Sequence, residues 1–100
     1  MNDKEYKYLN LGCGNRYHPD WINIDIASQA LGVIKHDLSK GIPLPDACCN
    51  VVYHAAVIEH LRLSDAKAFM IECFRVLKPG GIIAFIRKSV NFFLQPPGIE

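Results

Sequence analysis

Apolar residues in this chain fall into short runs separated by polar or glycine-rich stretches. Tyr8-Leu9-Asn10-Leu11 ends directly in Gly12-Cys13-Gly14. It reads as an interior strand closing in a sharp turn, since two glycines one residue apart admit backbone angles and close approaches that a Cβ forbids. Trp21-Ile22-Asn23-Ile24 reads as a second strand and ends in Asp25. Val33-Ile34 is a short third strand, followed by His36-Asp37-Leu38. Asn50 to Ala55, rich in β-branched residues, is a fourth. The continuous apolar run from Ile82 to Ile86 is a fifth, of the kind that parallel sheets cover with helices. Ser64 to Leu77 reads as a helix, because Ala66, Phe69, Met70, Cys73 and Leu77 recur at helical spacing. Ser64 suits its N-cap, Asp65 its first turn, and Pro79-Gly80-Gly81 stops it after Lys78.

The connections are polar. Cys13 to Asp20 has no helical period, and about eight residues are available where a parallel crossover takes roughly a dozen. Either a first crossover helix has shrunk to a loop, or these strands are not simple parallel neighbours. Ile26 to Gly32 has room for one helical turn, and Ser39 to Cys49 is a loop punctuated by Gly41, Pro43 and Pro45. After Arg87 no period is visible, so residues 88–100 are expected to be an irregular tail. The whole is one domain with a core at about 8–87. Strands alternating with crossovers imply an open α/β sheet.

Composition narrows the picture without redrawing it. Half of the 100 residues are hydrophobic, enough for a core and too many for disorder. A net charge of +1 argues against a nucleic-acid field or a polybasic membrane surface. No apolar run approaches the roughly 18 residues of a membrane span, and the charged start Met1-Asn2-Asp3-Lys4-Glu5 is no signal peptide. Cys13, Cys48, Cys49 and Cys73 form no C-x-x-C pair, and adjacent Cys48 and Cys49 would make a strained disulfide. All four read as reduced thiols of a cytoplasmic protein without a metal site.

The chemistry gathers at strand ends. A glycine turn closing one strand and an acid closing the next let a parallel sheet hold an adenosine, backbone against the ligand and carboxylate on the ribose hydroxyls. A nicotinamide-binding turn fits less well. It asks for a third glycine where Tyr17 stands, an acid farther on than Asp25, and a helix N-terminus for the pyrophosphate.

Leu9-Asn10-Leu11-Gly12-Cys13-Gly14, then Asp25, then His36-Asp37-Leu38, then Val57-Ile58-Glu59-His60-Leu61, then Arg75-Val76-Leu77-Lys78-Pro79-Gly80-Gly81 resemble, in order and spacing, the class I S-adenosylmethionine-dependent methyltransferases. The small type 11 branch is the nearest, and the likeness covers about residues 8–87. It implies a Rossmann-like, mostly parallel sheet of order 3-2-1-4-5 with a loop in place of the first helix; the further helix and C-terminal antiparallel strands usual in such proteins are expected to be missing from this chain. The fifth strand would then be an open edge, pairing with another copy in a dimer unless the chain is a fragment.

The resemblance implies S-adenosylmethionine as methyl-donor cosubstrate. Leu11, Gly12, Cys13 and Gly14 would cradle its amino-acid part. Asp25 with Ile26 would meet the ribose, Asp37 with the Leu38 backbone the adenine, and Ala55, Ala56 and Val57 would line the pocket. Each has a plainer reading beside it: a tight turn for the glycines, a solvated strand-end carboxylate for Asp25, a turn-opening Asp before Ser39 for Asp37, packing for Cys13. His54 and His60 are the candidates for a catalytic base or substrate-orienting group, and each is equally readable as a structural hydrogen bonder. Arg16, Tyr17, His18 and Trp21 either contact substrate or cover the sheet. The function implied is methyl transfer to an unidentified acceptor. The alternative is a truncated, non-catalytic module that binds the donor or pairs with a partner chain.

Overall fold

A computed structural model describes residues 6–14, 16–55, 57–58, 61–87 and 90–95. Strand β1 (Tyr8–Leu11) lies between β2 (Ile22–Ile24) and β3 (Cys49–Ala55) and is parallel to both. Strand β4 (Leu77–Arg87) is parallel to β3, and β5 (Val90–Leu94) runs antiparallel to β4. The order across the sheet is β2-β1-β3-β4-β5. Helix α1 (Leu63–Val76) covers one face.

The register explains the core. Leu9 pairs with Ile22 and Val52, Leu11 with Ile24 and His54, and Val52 with Ile83. Side chains alternate across a strand, so these rows share one face. Leu9, Leu11, Ile24, Val52 and Ile83 are fully buried there, in one cluster with Phe69, Cys73 and Val76 of α1. Burying a side chain of this size stabilises the fold by about 1.5–3 kcal/mol.

The opposite face carries a polar pair. Asn10 and Asn23 are register partners, and both are buried. Asn10 Nδ2 donates to Asn23 Oδ1 at 3.1 Å and to the Arg16 carbonyl at 3.2 Å. Asn23 Nδ2 donates to the carbonyls of His18 (2.8 Å) and Trp21 (2.9 Å), and its Oδ1 accepts the His18 N–H at 3.2 Å. The two amides thus fasten the connection between β1 and β2 onto the sheet, and no helix is needed to make the parallel crossing. Trp21 completes the cover, stacked on Tyr8 at 4.9 Å between ring centroids and edge-on to Tyr53 at 6.4 Å.

Several expectations are corrected. The third strand is a single parallel bridge, Ile24 to Ile34, outside β2. Its position still matches the expected 3-2-1-4-5 order. Ile26 to Gly32 forms no helical turn, because local side-chain bonds hold it in bends: Asp25 Oδ2 accepts the Ala27 N–H and Ser28 Oγ the Ala30 N–H. The helix starts one residue before Ser64, with Arg62 as an N-cap that makes no side-chain bond. Leu77 leaves the helix and pairs with Cys49 as the first residue of β4, and the register shifts between Cys49 and Val51.

The stretch after Arg87 is not all irregular. Val90–Leu94 is β5, in register from Ile83↔Leu94 to Arg87↔Val90. An antiparallel strand therefore is present, and it occupies the β4 edge expected to be open for another copy.

The amide pair makes a prediction. Asn23→Ala takes the acceptor of the His18 N–H and one partner each from the Asn10 amide and the carbonyls of His18 and Trp21. It should lower unfolding free energy by about 2 kcal/mol or more in urea titration. A loss under about 0.5 kcal/mol, the range of an ordinary surface change, would contradict the fastening role.

Candidate functional site

The glycine turn sits at the C-terminal ends of adjacent parallel strands. The Gly12 N–H donates to the Ile24 carbonyl at 2.8 Å, which ties the turn to the end of β2. Both glycines are left-handed, with φ of 65° at Gly12 and 58° at Gly14. A Cβ on Gly12 would lie 2.5 Å from Val57 Cγ2, whereas one on Gly14 would meet nothing within 4 Å. Gly12 is thus required twice over, by conformation and by space, and Gly14 by conformation alone.

The bridge beyond β2 brings the acids together. Ile34 N–H donates to Asn23 O (2.7 Å) and Asp25 N–H to Ile34 O (3.0 Å). The chain then passes through His36 to Asp37, so both carboxylates face one cavity of about 340 Å³ lined also by Gly12, Ile26, His36, Leu38, Ser39, Val57 and Leu61. That is within the size of small-molecule sites. Asp25 spends Oδ2 on the Ala27 N–H at 2.9 Å, and Oδ1 is uncommitted among the described residues. Asp37 does open a turn: its Oδ1 accepts the Ser39 N–H (3.0 Å) and hydroxyl (2.7 Å), capping the 3₁₀ turn Leu38–Lys40. The Ser39 bonds hold its carboxyl below its ordinary value. Both bonds fall on Oδ1, so the capping role leaves Oδ2 for a ligand.

Of the residues expected to hold a donor, Gly12, Asp25, Ile26, Asp37, Leu38 and Val57 line this cavity. Cys13 and Ala55 line a smaller one on the other side of Gly12. Leu11 is buried beneath the turn, and Gly14 is half-buried within it. Burial first, and then the charge of Asp25, push the Cys13 thiol up, which keeps it protonated and fits a packing role. His54 is fully buried on the α1 side of the sheet, stacked on Phe85 and edge-on to Phe69, both at 4.9 Å. That placement points it into the core and away from both cavities. Ala56, Glu59 and His60 lie outside the described residues.

Sequence reasoning missed His36, Ser39 and Leu61 as lining residues, and it missed the clamp that holds their loop. Arg75 of α1 donates to the carbonyls of Ile42 (2.8 Å) and Leu44 (2.9 Å), to Asp46 (2.7 Å) and to both oxygens of Glu72 (2.7 and 2.9 Å). Glu72 Oε1 also accepts the Ile42 N–H at 2.8 Å. The guanidinium fork, with its five donors, suits this convergence. Partners some thirty residues apart in sequence leave no local signal.

A roomier groove of about 400 Å³ runs along α1 between Ile58, Leu63, Ala66, Lys67, Met70, Ile71 and Phe74. Among the described residues Lys67 is its one charged lining residue, and no carboxylate or glycine turn meets it. Polar groups that fix a ligand's orientation converge at the strand ends instead. Among the described residues no His, Cys, Asp or Glu cluster could hold a metal ion, and no helix is long and apolar enough to cross a membrane.

Known proteins resemble the chain at both levels. A model of the methyltransferase domain family matches residues 9–85. A protein of Mycolicibacterium smegmatis named "Probable S-adenosylmethionine-dependent methyltransferase" is 36% identical over 90% of this chain and 40% of its own length. A like-named protein of Mycobacterium tuberculosis is 34% identical over 75% of this chain and 33% of its own. The chain therefore spans less than half of these relatives. Among solved structures, a Pyrococcus horikoshii protein superposes with a TM-score of 0.63 at 21% identity, covering 82% of this chain and 46% of that one. An S-adenosylmethionine dependent methyltransferase from Mesorhizobium loti does so at 0.58 and 17%, covering 79% and 45%. At those identities the structures speak for the fold.

Two predictions follow from the geometry. Gly14→Ala should cost only the left-handed strain of about 1–2 kcal/mol. Gly12→Ala should cost clearly more by denaturant titration, and Val57→Ala should recover part of that excess but none of the Gly14→Ala loss. Equal losses, or no coupling to Val57, would contradict the packing described.

The second concerns acid. The Arg75 bonds, then the Ile42 N–H, hold the Glu72 carboxyl below its ordinary 4.5. Its stabilising contribution is complete above that value and is lost as pH falls through the lower folded one. Unfolding free energy should thus decline on acidification below about pH 4.5, and less steeply in Glu72→Gln. An unchanged slope in the variant would show that the clamp is not linked to folding.

Proposed function

The chain belongs to the methyltransferase domain family, and from that membership we propose that it binds S-adenosylmethionine at the strand-end cavity and presents its methyl group to an acceptor. The observation that carries this reading is the convergence of Gly12, Asp25 and Asp37 on one cavity at the C-terminal ends of β1, β2 and the bridging segment. Adenosine fits its chemistry. The free oxygen of Asp25 would accept from the ribose hydroxyls, Asp37 Oδ2 would accept from the adenine amine, and the Leu38 backbone would meet the ring edge. Ile26, Val57 and Leu61 would supply apolar walls. The donor's amino-acid end would lie over the glycine turn, where Gly12 admits close approach.

S-adenosylmethionine supplies an activated sulfonium carbon. The chain's own part is to bind, align and exclude water. Positioning of this kind supplies much of a displacement's acceleration, and an acceptor already nucleophilic needs no protein base. We accordingly assign His54 to the core and name no catalytic base. The four free cysteines support a reducing, cytoplasmic setting. Burial, with Cys48 beside it, pushes the Cys49 thiol up to about 12, so it stays protonated there. Any pairing of copies at that edge of the sheet would use β5 rather than β4.

Calorimetric titration with S-adenosylhomocysteine tests the reading. Micromolar binding is expected, weakened roughly a hundredfold in Asp25→Ala, because bonds to a charged group are worth about 1.5–3 kcal/mol each. No binding by the folded chain would sink it. Donor binding with no transfer to any acceptor would favour the non-catalytic module.

A further inference from the structure

Two thiols lie together at the N-terminal end of β3, the far end of the sheet from the cavity of the acids. Cys48 Sγ and Cys49 Sγ are 3.4 Å apart, and both cysteines are free. Successive residues of a strand point their side chains to opposite faces. Here that alternation is broken on both sides. Ala47 is left-handed, with φ of 50°, an angle uncommon for alanine. The β3–β4 register then shifts between Cys49 and Val51. The end of α1 fixes the turn: the Ala47 N–H donates to Arg75 O at 2.9 Å and the Cys48 N–H to Val76 O at 2.8 Å. Cys49 pairs with Leu77 of β4.

The geometry selects among thiophilic ligands. Two sulfurs are too few for zinc, which takes three or four protein ligands, and no third His, Cys, Asp or Glu joins them among the described residues. Bonds of about 2.3 Å, the length zinc makes to sulfur, would meet across the 3.4 Å gap at an angle of about 95°. That is narrower than a tetrahedral centre takes and far from the straight line of a two-coordinate one. A pyramidal trivalent centre with a lone pair holds its bonds near a right angle. Burial, with Cys48 beside it, keeps Cys49 a thiol, which favours a ligand that carries off the protons over a bare cation that needs thiolates. Cys48 also packs against the apolar core, which suits an organic substituent.

We propose that Cys48 and Cys49 form a chelating site for a monosubstituted trivalent arsenical, an arsenic atom bearing one organic group and two hydroxyls. Two As–S bonds form and two As–OH bonds break. Each thiol proton leaves with a hydroxide as water, and no atom changes oxidation state. Cys48, half-buried, is the point of entry, and fully buried Cys49 closes the ring. The site is separate from the donor cavity and does not depend on how that cavity is read.

The test applies phenylarsine oxide to the reduced chain, as wild type and as Cys48→Ser. Wild type should take up one arsenical per chain by native mass spectrometry, kept against excess 2-mercaptoethanol and released by 2,3-dimercaptopropanol. Removal of one sulfur should weaken binding about a hundredfold or more.

Adjacent cysteines can chelate in an unfolded chain too, so the thermal midpoint separates a built site from mere adjacency. One equivalent of the arsenical should raise the wild-type midpoint by roughly 4 °C or more, because a ligand that prefers the folded state stabilises it. Zinc chloride should leave it unmoved. A midpoint unmoved or lowered by the arsenical would overturn the proposal. So would a zinc shift as large as the arsenical's, or an adduct held equally well by Cys48→Ser. The two midpoint readings are made on wild type alone and stand even if the variant does not fold.

Discussion

The bond between the amides of Asn10 and Asn23 is the constraint on which the rest of this structure depends. A parallel strand pair normally needs a connection of a dozen or more residues, usually a helix. Here the chain returns from Gly12 to Trp21 over the face of the sheet. The exposed backbone of such a short return must find partners, and the buried amides supply them at Arg16, His18 and Trp21. Each amide sits at low exposure where an unmatched polar group would be costly, so the pair specifies one path for the loop. The Gly12 turn, the end of β2 and the backbone of Arg16 all take their positions from it.

The other half of the site hangs from a second, unrelated fastening. Asp37 and Ser39 shape the 3₁₀ turn, and Arg75 with Glu72 ties the following segment to the last turns of α1. The helix thus serves the cavity it does not touch: its buried stripe rests on the sheet, and its charged pair holds the loop beside the acids. Arg75 is partly exposed, so the ion pairs alone would be worth little. The two carbonyls and the Ile42 N–H in the same network are what make the clamp specific.

Much of this was legible in the sequence because it is local. The strands around Leu9, Ile24 and Val52 and the helix around Phe69 and Cys73 follow from periodicity. So does the juxtaposition of Gly12 and Asp25, since parallel strands place their C-terminal ends on one edge; Asp37 joins them only through the family resemblance. What escaped is long-range or compensated. Val90–Leu94 shows no clear period in the sequence, and its antiparallel pairing with β4 makes it a strand. Ile26 to Gly32 looked like a turn of helix until Asp25 and Ser28 turned their side chains back on its backbone. The amide pair and the Arg75 clamp join residues whose sequence contexts say nothing of one another. His54 looked like chemistry because it follows the pattern of a strand end, yet its register with Leu11 and Phe85 turns it toward α1.

The most direct test of the central claim is residue-resolved. The chain is 11.2 kDa, small enough for amide chemical-shift mapping during titration with S-adenosylhomocysteine. The account predicts the largest shifts at Gly12, Asp25, Ile26, Leu38 and Val57, with the backbone of α1 little moved. Shifts confined to the groove of Ile58, Met70 and Phe74, with the strand ends silent, would contradict it.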